Sequence, residues 1–482
     1  MLHLIDYLDR PVPSLFYSVK WHKKYGPIFS LQYGLTTYIM IGNHETARDL
    51  LDRRSNIYSS RPRQPMVGEL VSEGNRSLIL PYGDQWRAYR KLQGAFLSPR
   101  MSDTYRELQD LESKQLVREF LTRSDFSDRF HRYSSSLTFA LAYGKRMPEG
   151  DEPEVTGIKK IMNDLNMLFI QRWIVDYLPF LNFLPHWLAW WKYTADRVRK
   201  EEVTFFNGVR EAAERRRAWN WTKEIIASKD SQGLTHTQVS YVVGNTYEAG
   251  SDTTTMTLQV FIMAAVLHPA KMRKAQEQID RIVGRSRLPS FDDIDQLPYI
   301  HAVVKEVHRW RPVIPGGVPH AVTEDDQYMG YHIPKNATVI GNHWAISMDP
   351  DVYDKPEEFI PERWLENPDL PPVATFGFGR RRCIGQHVAN NSMFINVARL
   401  LWAYDIVHAY EMRDGRKVKC EVDPMAFVHG FNSPPLPFKA EFAVRGPEVK
   451  EVIEREWSET EKDEHVLLER IHEAQIRLKE GE

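Results

Sequence analysis

Cysteine is nearly absent: Cys383 and Cys420 are the only two in 482 residues. That excludes a disulfide framework and a four-thiolate zinc site. It fits a reducing, cytosol-facing environment. Net charge is nearly absent too. With 63 basic and 65 acidic residues the balance is −2, so composition gives no electrostatic case for a nucleic-acid partner. Long apolar runs are missing from the start of the chain. The opening stretch, MLHLIDYLDRPVPSLFYSVKWHKKYG, is interrupted by Asp6, Asp9 and Arg10, so it neither spans a bilayer nor makes a good signal peptide. No repeat of fixed period and no Gly/Ser-rich or Pro-rich spacer divides the sequence. Length alone would allow roughly two to four domains. Without a linker, the expectation is one large unit, 1–446, and a charged tail, 447–482, read as a solvated helix or a disordered end.

What is present is aromatic and mostly helical. Thirteen tryptophans and 22 phenylalanines call for a large apolar interior or an apolar surface. Short strand-like runs occur at TTYIMIG, ATVIGN and FKAEFAV, so the expected fold class is mainly α with small β-sheets. Residues 170–191, IQRWIVDYLPFLNFLPHWLAWW, are the most apolar stretch, and Pro179 and Pro185 prevent one continuous helix there. They read either as buried core or as a surface dipping into a membrane interface, where Trp and Tyr are favoured.

The strongest helix starts after Thr235, where THTQ pairs Thr235 with Gln238 as a capping box, and it stops before Pro269. Its centre is AGSDTTT. Gly250 costs a helix about 1 kcal/mol relative to alanine. Ala249 and Gly250 leave a notch against which something bulky can lie, with Thr253 on the same face and Asp252 beside it. Close helix packing or Ser/Thr back-bonding would explain the same residues. A second helix, YIHAVVKEVHRW, ends before Pro312 and puts Glu306 and Arg309 on one face, a pair usually worth only tenths of a kcal/mol.

The segment FGFGRRRCIG, Phe376 to Gly385, sets Cys383 between arginines and glycines, just ahead of a helical pattern, IGQHVANNSMFINVARLLWAY. Amides at a helix start and nearby guanidinium groups favour a thiolate. Three uses compete. A phosphatase-type nucleophile wants an arginine six residues on, where Ala389 stands. A general cysteine nucleophile needs a base, and His387 is four residues on. A thiolate ligand to heme iron needs a buried anionic sulfur, amide donors, and cations for the propionates.

The segment resembles the heme-binding signature of the cytochrome P-450 superfamily, Phe-x-x-Gly-x-Arg-x-Cys-x-Gly, at Phe376, Gly379, Arg381, Cys383 and Gly385. Other stretches fall in that family's order. WRAYR resembles its early Trp-x-x-x-Arg, AGSDTT its oxygen-activating segment, EVHR its Glu-x-x-Arg pair, and PERW the segment that locks the pair. The resemblance runs from KKYGPIFSL to PPLPFKAEF, and VDYLPFLNFLPHW looks most like fungal microsomal members. Those members begin with a membrane anchor and a proline-rich hinge. This sequence starts where the hinge should have ended, so a trimmed anchor is expected.

The resemblance implies heme b with Cys383 as metal ligand. Around it would stand Trp86, Arg90, Ala249, Gly250, His320, Phe376, Gly377, Arg381 and Gly385. It further implies Asp252 and Thr253 as the catalytic proton relay, and Glu306 and Arg309 as a structural pair. The substrate pocket would draw on the loop 61–80, on Val313 and Ile314 in VIPGG, and on Phe427 and His429 in FVHGFN. Implied partners are O2, a hydrophobic small molecule such as a terpenoid, polyketide or alkaloid, and an NADPH-dependent cytochrome reductase with its flavins. The reductase would dock near Arg380, Arg382 and Lys91. No nucleic acid is implied. The implied location is the cytosolic face of the endoplasmic reticulum membrane, with the membrane surface itself as a contact. Three other readings stay in view: a heme-thiolate isomerase or reductase that does not use O2, a non-catalytic heme or ligand-binding protein, and a heme-free cysteine enzyme.

Overall fold

A computed structural model describes residues 14–34, 36–171 and 173–481, so the first half of the opening stretch weighed above for anchor character lies outside it. Helices dominate. Those that build the site or brace it are α1 (Asp84–Leu97), α2 (Arg106–Glu119), α3 (Phe126–Tyr143), α4 (Pro153–Ile170), α5 (Trp190–Arg215), α6 (His236–Leu267), α7 (Pro298–Trp310), α8 (Gln386–Ala403), α9 (Pro447–Glu459) and α10 (Glu464–Glu480).

The 32-residue α6 is the axis of the molecule. Thr235 caps it, accepting from the Gln238 amide while the Gln238 side chain accepts from the Thr235 amide, so two otherwise orphaned donors are satisfied at once. Its most extensive partner is α3. The crossing is tight: a Cβ built on Gly250 would lie 2.4 Å from Thr138 Cγ2. The small residue in the helix centre is therefore consumed by helix packing, where the sequence had equally suggested room for a bulky guest.

A four-stranded sheet, ordered β1 (Ile28–Tyr33), β2 (Thr36–Ile41), β4 (Thr338–Gly341), β3 (His320–Ala321), flanks the helices. β2 and β4 run parallel with Tyr38 opposite Thr338, and β3 runs antiparallel to β4 with His320 opposite Val339. That register carries His320 inward, where it is 6 % exposed.

Glu306 and Arg309 amount to far more than a helical surface pair. Both are fully buried. Arg309 donates Nε to Glu306 Oε2 at 2.9 Å and Nη2 to Oε1 at 2.7 Å, and spends its remaining N–H groups on the Ser347, Pro356 and Glu358 carbonyls. Glu306 also accepts from Arg363, Trp364 and the Ile360 amide. The pair thus pins α7 to the 356–364 segment.

Two stretches differ from expectation. The charged C-terminal segment is neither solvated nor disordered. α9 and α10 bury Val449, Val452, Ile453, Leu467, Leu468 and Ile471 in the main core, because these recur at helical spacing among the charges. Arg118 pairs with Glu454 at 2.8 Å, and Arg470 with Glu107 at 2.5 Å. The aromatic stretch divides instead of choosing. Trp173, Val175, Ala189 and Trp191 are buried, while Phe180, Phe183, Trp187 and Trp190 project outward, Phe183 being 91 % exposed. Among the described residues no helix is long and apolar enough to cross a membrane.

Candidate active site

Cys383 sits on a loop shaped by glycine. Gly377 (φ 71°) and Gly379 (φ 54°) occupy the left-handed region, and a Cβ on Gly379 would lie 2.1 Å from the Leu51 carbonyl oxygen. The Gly379 amide donates to Asp52, and the Cys383 amide donates to the Phe376 carbonyl at 2.7 Å. α8 begins three residues later, so the sulfur lies close to its first amides. The side chain is deep in the protein yet open to a cavity of about 350 Å³. Burial pushes the thiol pKa up, and the Gly385 amide, Arg90, Arg382 and the Gln386 amide pull the other way. The net direction is upward, so a cation at the sulfur would complete what the amides and arginines begin.

One side of the cavity is cationic. Arg61, His320 and Arg381 line it. Arg381 donates to the Ser59 carbonyl at 2.7 Å and the Leu80 carbonyl at 2.6 Å, and lies 4.3 Å over the Trp86 ring. Arg61 donates to the Val318 and Pro319 carbonyls, and the His320 Nδ1 is 2.7 Å from the Tyr58 carbonyl. Arg90 reaches the Arg382 carbonyl at 2.7 Å. None of these four pairs with a carboxylate among the described residues. Burial, with repulsion from Arg90, pushes Arg381 down to about 9, and burial beside other cations pushes Arg61 and His320 well down. Three guanidinium groups lining one cavity wall, with the His320 ring beside them, make a site for an anion. A porphyrin with two propionates, facing a single cysteine, meets that requirement.

The opposite wall is α6. Ala249, Gly250, Asp252 and Thr253 line the cavity. The Thr253 hydroxyl donates to the Ala249 carbonyl at 2.7 Å, one of a run of back-bonds that includes Thr255 to Ser251 and Thr257 to Thr253. Phe376, Gly377 and Gly385 line the cavity from the cysteine loop, Trp86 and Arg90 from α1, and Val313 and Ile314 from the segment after α7. Glu306 and Arg309 stand outside it.

His429 and Phe427 do not reach the cavity. His429 is exposed, and Phe427 is buried elsewhere. Phe427 bridges to Pro435, and the Val428 amide donates to the Pro434 carbonyl, which turns the loop so that Phe431 and Asn432 face inward instead. The loop 61–80 lines the cavity through Arg61, Arg76, Ser77 and Leu78, as expected; the sequence reading missed Glu248 and the charged roles of Arg61 and Arg76. Arg76 forms a buried network with Glu202 of α5 and, at 2.5 Å, with Glu248 of α6, joining elements 126 and 172 residues away along the chain. No local spacing signals such a network.

A sequence profile for cytochrome P450 matches residues 8–430. The chain belongs to the cytochrome P450 family. Similar relatives are fungal. It is 46 % identical to cytochrome P450 monooxygenase aneD of Aspergillus aculeatus, over 94 % of this chain and 88 % of that one. It is 43 % identical to cytochrome P450 monooxygenase FrzL of a Cladobotryum species, over 94 % and 87 %. A zebra fish cytochrome P450 structure determined with abiraterone superposes with a TM-score of 0.73 at 22 % identity, covering 90 % of this chain and 100 % of that one, which establishes the shared fold. This P450 is a heme-thiolate monooxygenase, as the family and its named relatives show.

Proposed function

We propose that this P450 oxidises a hydrophobic small molecule of fungal secondary metabolism, with Cys383 as the residue whose thiolate would hold the iron of heme b. Arg61, Arg90, His320 and Arg381 would take the two propionates. When bound, heme supplies dioxygen activation and oxygen transfer, for which the thiolate's electron donation suits it. The protein's part is to orient the guest, exclude water and move protons. In this reading Thr253 holds a water by its hydroxyl oxygen, and Asp252 passes a proton to it. The carrying observation is the unneutralised cationic cluster facing a lone cysteine across one cavity. The test is the absorption spectrum of the reduced, carbon-monoxide-bound protein. A strongly red-shifted Soret band is expected, and Cys383→Ser should abolish it. The band persisting in that variant would remove Cys383 as ligand.

Electrons would come from an NADPH-dependent flavoprotein reductase docking on the cysteine side. Arg380 is exposed there and supports this, whereas Lys91 is engaged with Asp230 at 2.7 Å and Arg382 is half-buried. A membrane surface is the proposed contact for Phe180, Phe183, Trp187 and Trp190, since aromatic side chains favour the bilayer interface. The proposed location, by resemblance to the fungal microsomal members, is the cytosolic face of the endoplasmic reticulum. Flotation with phospholipid vesicles should fall when Phe183 and Trp187 are replaced by serine.

A further inference from the structure

Asp252 faces the cavity on one side and α3 on the other. Its carboxylate Oδ1 lies 3.3 Å from Nε2 of His131 on α3. His131 is 8 % exposed and does not line the cavity, so the ring sits behind Asp252, between the two packed helices. Its Nδ1 is 3.2 Å from the Ser135 hydroxyl. Four residues back along α3, and seven on along α6, the same pair of helices makes a second polar cross-link. Gln259 donates to the Ser127 hydroxyl at 2.6 Å. Ser127 is exposed and Gln259 half-buried, so this second link reaches the surface.

Two buried polar atoms belong to this seam and have no hydrogen-bond partner: His131 Nε2, whose approach to Asp252 is close but off the N–H axis, and Gln259 Oε1. Neighbouring residues on both helices, Phe130, Met256 and Val260, are buried and apolar. An aqueous bridge between the two cross-links would satisfy both orphaned atoms, and such buried polar atoms normally have a partner. On its own helix the charges nearest His131 in sequence are Arg132, which Glu112 and Glu119 hold, Arg129, which Asp125 holds, and the exposed Asp128. From α6 the facing charge is Asp252.

We propose that the α3–α6 seam, from Ser127 and Gln259 through His131 to Asp252, carries protons from the surface into the cavity, with His131 positioning Asp252 and recharging it. This rests on the reading of Asp252 and Thr253 as the relay. Monooxygenation converts RH, O2, two protons and two electrons into ROH and water, so the cavity must be resupplied with protons in every turnover. In the hand-over the His131 Nε2–H bond breaks and an O–H bond forms on Asp252. Asp252 then releases that proton to the cavity. His131 regains one from water at the Ser127–Gln259 end.

The experiment uses the heme-loaded protein with a flavoprotein reductase and NADPH, without added substrate, so that O2 reduction to water and to peroxide can be compared in H2O and D2O. His131→Phe and His131→Asn should each lower the water-forming rate about tenfold or more and change its solvent isotope effect, as expected for loss of a proton-transfer group. Asp252→Asn should do the same. Thermal midpoint and carbon-monoxide spectrum should be unchanged in His131→Asn. A second readout involves no turnover. In the reduced carbon-monoxide complex, labelled with 15N-histidine, the His131 Nε2 resonance should move in Asp252→Asn, because the carboxylate 3.3 Å from that nitrogen is gone. If Asp252→Asn slows water formation and both His131 variants do not, this inference is overturned and the relay reading stands. If Asp252→Asn is without effect, the relay reading falls and this inference with it. An unmoved His131 Nε2 resonance also overturns the proposal.

Discussion

Replacing Gly250 by alanine separates two explanations for a small residue in the middle of α6. If the glycine only leaves space above the heme, an added methyl projects towards the cavity and α3 is indifferent to it. The geometry says otherwise, since the new Cβ would meet Thr138 Cγ2 at 2.4 Å, whereas the Thr138 Cβ is 3.4 Å away and its Oγ1 3.7 Å. Overpacking of this kind costs about 1–3 kcal/mol. Alanine recovers about 1 kcal/mol of helix propensity. The net expectation for Gly250→Ala is a loss of ~0–2 kcal/mol. Thr138→Ser deletes the offending methyl and keeps the hydroxyl, so the clash term vanishes in the double variant. That variant should be at least as stable as Thr138→Ser alone, with a coupling energy of ~1–3 kcal/mol. Urea unfolding of the four heme-loaded proteins, followed by tryptophan fluorescence and by the Soret band, measures the cycle. Strict additivity would refute the packing explanation and leave the cavity lining as the reason for a small residue at Gly250.

Other perturbations have equally definite signs. Glu306→Gln leaves the buried Arg309 without its counter-charge and should cost about 3–5 kcal/mol, read as a lower unfolding midpoint or loss of soluble protein. Deleting residues 447–482 uncovers core partners of six buried aliphatic side chains, each worth ~1.5–3 kcal/mol, so the shortened protein should aggregate or bind a hydrophobic dye. Burial pushes Glu202 up to about 7 from an ordinary 4.5, against the pull of Arg76. A carboxyl raised on folding adds stability that is fully present below pH 4.5 and lost as pH rises to about 7, so Glu202→Gln should flatten that decline in a pH series of thermal midpoints.

Much of the site was legible because its signals are local. Thr235 and Gln238 announce a helix start within four residues, and Cys383 stands within a ten-residue pattern in which Gly377 and Gly379 have the positive φ a tight loop requires. The β-strands at TTYIMIG, ATVIGN and FKAEFAV were legible for the same reason, as short alternating or β-branched runs. What escaped depends on residues far apart in sequence. Arg61 becomes a cavity cation only when β3 brings the Val318 and Pro319 carbonyls to it, from 257 and 258 residues away. His429 and Asn432 are three residues apart in one turn, and only the strand-like bridge from Phe427 to Pro435 decides which of them looks inward. The charged terminal segment misled because its net character is polar, while a minority of aliphatic residues at helical spacing determines where it packs.

The C-terminal helix pair has a consequence for how the protein is made. Arg470 meets Glu107 across 363 residues, and Gln475 meets Thr104 across 371. At about 5–20 residues per second, a ribosome takes on the order of tens of seconds to cover that interval. Throughout it, the early helices have emerged with one flank bare, waiting for a lid still being translated. Nascent chains should therefore recruit chaperones at that flank, and release should track the arrival of α10.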